Sequence, residues 1–69
     1  MTATLPADAH AMLVAELDAE YLAACRRIAV YQYANRARLG CPAVVRRVAA
    51  LDRAAREAAE RLLDAMRGE

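Results

Sequence analysis

Leu39-Gly40-Cys41-Pro42 is the stretch whose reading decides the fold. Gly40 suits the position just past a helix end, and Pro42 suits the first turn of the next helix. On either side the composition is that of helix: 19 of 69 residues are Ala, and only two are Gly and two Pro. Pro6-Ala7-Asp8 looks like a helix start, with Asp8 as N-cap. The expected organisation is a flexible segment over 1–7 and a single helical hairpin over 8–69. Helix 1 covers about 8–38, the turn 39–42 and helix 2 about 43–67.

Periodicity supports two helices. In helix 2, Val44, Val48, Leu51, Ala55, Ala58, Leu62 and Ala65 recur in steps of four and three, an unbroken heptad stripe. The opposite face is charged, and Asp52–Arg56, Arg53–Glu57, Arg56–Glu60 and Glu57–Arg61 stand at i,i+4. Helix 1 has a looser stripe of Val14, Leu17, Tyr21, Ala24, Ile28, Tyr31 and Asn35. Leu13, Leu22, Cys25, Ala29 and Val30 lie off it, so helix 1 is apolar over a wider arc than one neighbour covers.

A four-residue turn makes the helices antiparallel, so that residues whose numbers sum to about 81 face each other. Leu17 then meets Leu62 and Ala65, Tyr21 meets Ala58 and Leu62, and Ala24 meets Ala55 and Ala58. Ile28 meets Leu51, and Tyr31 meets Val48 and Leu51. The middle layer is nearly all Ala, which lets the helices approach closely. A lone hairpin of 69 residues buries too little apolar surface to offset chain entropy. The expected fold is therefore all-α, an antiparallel two-helix hairpin that dimerises into a four-helix bundle, or that a different protein completes. In layout, length and small-residue layers the chain is similar to ROP-like hairpin dimers; no motif is shared and no functional residue is carried over.

Charge is segregated. Residues 1–25 hold four acids and no base, 26–47 hold six Arg and no acid, and 48–69 are mixed. Net charge is only +1. Folded as a hairpin, the turn end is basic and the open end acidic. Helix dipoles account for Arg36 and Arg38, but Arg46 and Arg47 sit at the positive end of helix 2. Either each basic turn meets a partner's acidic open end, or Arg36, Arg38, Arg46 and Arg47 contact an anion or nucleic acid, with Tyr31, Gln32, Tyr33 and Asn35 adjacent.

Candidate chemistry is sparse. His10, the only histidine, reads as exposed at the open end; Cys25 reads as a small core residue. Cys41 lies in the turn beside several Arg that would lower its pKa. There is no CxxC, HxxxH or Glu-x-x-His, no Gly-rich phosphate loop and no Ser. No catalytic residue, metal ligand or cofactor is expected. The longest uncharged run falls far short of the roughly 20 residues of a membrane span, and no basic segment precedes Leu13-Val14 to mark a signal peptide, so no membrane partner is expected. Two free thiols without an export signal point to the cytoplasm.

The first functional reading is a non-catalytic helical-hairpin interaction module or accessory subunit. It would pair with itself or dock on a larger protein through Leu13, Leu22, Ala29, Val30 and Tyr33 on helix 1. The second is a small antitoxin-like regulator that contacts nucleic acid through the Arg-rich turn. The third is a small helical enzyme or metalloprotein whose site forms only at a dimer interface. A helical chorismate mutase, for example, would need basic residues inside the bundle, and here the Arg fall off the apolar stripes.

Overall fold

A computed structural model describes residues 4–68, with side chains described for 8–68. Two α-helices, α1 over Thr4–Ala34 and α2 over Pro42–Arg67, pack side by side as an antiparallel hairpin. A short 3-10 turn, Arg36–Arg38, lies in the connection. The 3.6-residue period of the two stripes becomes the seam. All fourteen stripe positions, from Val14 to Asn35 and from Val44 to Ala65, are buried or half-buried. Ala24, Val44, Ala55 and Ala58 are the buried apolar residues among those described, and Ala58 is only 3% exposed. Small side chains at the middle of the seam let the two backbones come close. Arg61 Nη2 reaches across to Glu20 Oε1 at 3.6 Å, a pair whose numbers sum to 81, as the register requires.

The ends of α1 differ from the sequence reading. The helix starts at Thr4, so it includes Asp8, and Pro6 sits in its first turn, where the missing N–H costs no bond. The flexible segment expected over 1–7 lies partly outside the described residues; residues 4–7 are helical. The helix stops at Ala34 rather than at 38, and Asn35 is the cause. Its backbone N–H and its side-chain Nδ2 both donate to the Tyr31 carbonyl, at 3.0 and 2.9 Å. A side-chain amide that competes for the backbone in this way ends helices. Arg36 Nη1 donates to the Tyr33 carbonyl at 2.9 Å, and Arg38 Nη2 to Asn35 Oδ1 at 3.1 Å. Side chains thus bond two of the last carbonyls of α1, those of Tyr31 and Tyr33, at an end where the sequence predicts a Gly40 cap. Gly40 has no left-handed φ, and a Cβ there would meet nothing within 4 Å. Pro42 opens α2 as expected, preceded by Cys41 in extended backbone.

The hairpin measures 56 × 17 × 11 Å, so it is one helix thick. Its radius of gyration is 16.4 Å, against about 11 Å for a compact chain of this length. Accessible surface is 5358 Å², about 1,100 Å² more than a compact monomer of 7.5 kDa exposes. Both broad faces of the layer are open. None of the helices described is long and apolar enough to cross a membrane.

Candidate interaction surface

The residues assigned to a partner-facing arc are all exposed: Leu13, Leu22, Ala29, Val30 and Tyr33. They do not form one patch. Leu13 and Leu22 are nine residues apart, about two and a half turns, so on a continuous helix they point in opposite directions. Leu22, Ala29 and Tyr33 share one strip. Val30 lies about 80° around α1 from Leu22, on the groove side, and Met12 lies about five turns earlier in the same direction as Val30. Met12 is 64% exposed and Val30 61%, so these apolar residues stand in water along most of the helix. Met12 was missed because the arc was drawn from the residues next to the inner stripe; its spacing from Val30 was the available signal. Val45, Leu63 and Met66 on α2 are exposed as well.

The four turn arginines do not act as one cluster. Arg36 bonds the Tyr33 carbonyl and lies 4.4 Å from the centre of the Tyr33 ring, a cation–π contact on a residue that is itself 70% exposed. Arg38 is held by Asn35. Arg46 and Arg47 are neighbours in sequence but about 100° apart around α2. Of the two, Arg47 borders a groove along one broad face of the hairpin.

That groove has a volume of about 510 Å³. Ala23, Val30, Tyr31, Ala34 and Leu51 line its floor, and Arg26, Arg27 and Arg47 its rim. No acid lines it. Toward the open end a second hollow of about 450 Å³ continues from the same Ala23 and Arg27 past Ala19, Ala54 and Ala58 to the Glu20–Arg61 pair. Ala23 and Ala34 of α1 leave space beside the seam for the groove, and Ala54 and Ala58 of α2 do so for the second hollow. Its basic rim was not read from sequence, because Arg47 joins Arg26 and Arg27 only through the register of the two helices. Guanidinium groups around an apolar floor suit a segment that carries both carboxylates and apolar side chains.

Reactive groups are scattered. Cys25 is half-buried and Cys41 exposed, both as free thiols. A hydrogen bond with the Cys25 side chain, one turn along α1, is the main cause that raises the Tyr21 hydroxyl above its ordinary pKa. His10 is half-buried, not exposed as read, because it continues the inner stripe one turn before Val14. Among the described residues no three His, Cys, Asp or Glu side chains gather closely enough to hold a metal ion. No protein-family model matches this chain, and neither a curated protein nor a solved structure matches it.

Proposed function

We propose that this chain is a non-catalytic interaction module, a helical hairpin whose open face is completed by another helical hairpin. One observation carries the reading: the hairpin is a single layer with about 1,100 Å² of surface beyond that of a compact monomer. A standard protein interface covers about 800 Å² on each partner, so the excess is of the size that one interface removes. Much of it is apolar, with Met12, Leu22, Val30 and Tyr33 spread along α1. Pairing two such layers gives a four-helix bundle, and a second copy is the economical partner. A reducing compartment such as the cytoplasm accords with its two free thiols.

The nucleic-acid reading has weaker support. Of its four arginines, Arg36 bonds the Tyr33 carbonyl at the end of α1 and Arg38 bonds the Asn35 side chain, so two of them are already engaged within the chain. The test is the solution mass of the purified protein by light scattering, with ultraviolet absorbance recorded for bound nucleic acid. The expected result is a folded particle of twice 7.5 kDa without nucleic acid. A folded monomer that stays monomeric at high concentration overturns self-association. An unfolded chain assigns the second half of the bundle to a different protein.

A further inference from the structure

The groove, which α1 and α2 build together, and the acidic half of α1 are complementary. The groove rim carries Arg26, Arg27 and Arg47 and no acid. Residues 8–20 of α1 carry Asp8, Glu16, Asp18 and Glu20 and no Arg or Lys, with Met12 and Leu13 exposed among them. We propose that this acidic segment of a second copy lies in the groove, the two α1 helices running antiparallel about a two-fold axis near Ala19 and Ala23. The proposal rests on the self-association reading and names the face and the orientation.

Three observations converge on it. The groove supplies an apolar floor at one half of α1, and the other half supplies the apolar residues and carboxylates to fill it. A two-fold axis satisfies both copies at once, because the same pair of patches meets twice. Parallel pairing would instead set acid against acid and Arg against Arg. The axis falls where α1 presents alanines to the groove, so the backbones can approach closely there. With the axis at that point, Glu16 of each copy comes opposite Arg27 of the other, and Met12 opposite Val30 and Tyr31. Glu20 is already paired with Arg61, so Glu16 is the acid on this face left to meet the rim.

The test uses the full chain and the dimer dissociation constant from sedimentation equilibrium. Glu16→Arg and Arg27→Glu each set like charges face to face twice per dimer, and each is expected to weaken the dimer about tenfold or more. Both positions are exposed on a helix and both substitutes are good helix formers, so circular dichroism should be unchanged. Mixing the two single variants restores opposite charges at both contacts. The mixture is expected to form a heterodimer within about threefold of wild-type affinity. A stable wild-type dimer whose single variants do not complement each other overturns this inference and leaves self-association standing. A folded wild-type monomer overturns both.

Discussion

The two helices use the same alphabet to different ends. α2 has one apolar stripe along its length, with Val44, Ala55 and Ala58 buried against α1, and it exposes Val45, Leu63 and Met66 only near its two ends. Between its ends its outer surface is charged, and pairs such as Asp52–Arg56 at 3.0 Å lie along it. α1 gives α2 an equivalent stripe and still exposes Met12, Leu13, Leu22, Val30 and Tyr33 along its length. A helix that is apolar on two sides belongs between two neighbours. The hairpin supplies one of them, so the difference between α1 and α2 locates the unfinished part of the structure.

The strongest way to break this comparison is to load the finished seam and the open face with the same bulk. Ala58→Leu puts a large side chain where α1 already touches, and overpacking of this kind costs about 1–3 kcal/mol. In a chain this small that is a large share of total stability, so the melting temperature should fall by several degrees or more. Ala15→Leu, on the exposed outer side of α1, should leave the melting temperature unchanged or raise it. Equal losses at both sites would mean that the outer side of α1 is as tightly packed in solution as the seam.

A smaller effect sharpens the comparison within α1 itself. Val30→Glu places a carboxylate on the groove floor and is expected to raise the dimer dissociation constant about tenfold. Leu22→Glu, about 80° around α1 from Val30 and not among the residues that line the groove, should change it by much less, although Leu22 is nearly as exposed. Sedimentation equilibrium on both variants decides. If Leu22→Glu were the more damaging, the strip of Leu22, Ala29 and Tyr33 would be the contact face.

How much of this was legible depended on whether a feature is local. The seam was, because its period is written in each helix separately and the break at Gly40-Cys41-Pro42 sets the register. The Glu20–Arg61 pair stands where that register puts it. The end of α1 was not, because Asn35 is neither Gly nor Pro and acts through its side-chain amide on the Tyr31 carbonyl. The basic rim was not, because residues from both helices build it, whereas adjacency in sequence suggested a group of Arg36, Arg38, Arg46 and Arg47. The apolar surplus of α1 was legible as an amount, and the nine-residue spacing of Leu13 and Leu22 already sets them on opposite sides; the groove beside Val30 was not legible, because α2 supplies part of its lining.

Gly40 offers a gentler test, of the connection against the helices. Its φ is not positive and space is open around the missing Cβ. Gly40→Ala should therefore restrict the unfolded chain without straining the folded one, and stabilise by about 0.4–1 kcal/mol in chemical denaturation. The same Gly at a left-handed C′ position would make the substitution destabilising, so the sign of the change reports how α1 ends.

The smallest expected effect concerns the inner side of α1 at high pH. The bond with Cys25 favours the neutral Tyr21 hydroxyl, so the folded chain holds that proton more tightly than the unfolded one. The contribution is fully present below about pH 10, the unfolded value, and is lost as pH rises through the higher folded value. Denaturation curves should show wild-type stability declining over that interval. In Cys25→Ala, where Tyr21 keeps its ring in the seam but loses the partner that shifts it, the decline attributable to Tyr21 should shrink. An identical decline in both proteins would place the alkaline sensitivity elsewhere in the chain. The pH series needs to be run above and below the dimer dissociation constant. Loss from Tyr21 belongs to the hairpin and is independent of concentration, whereas loss from a docked α1 disappears on dilution.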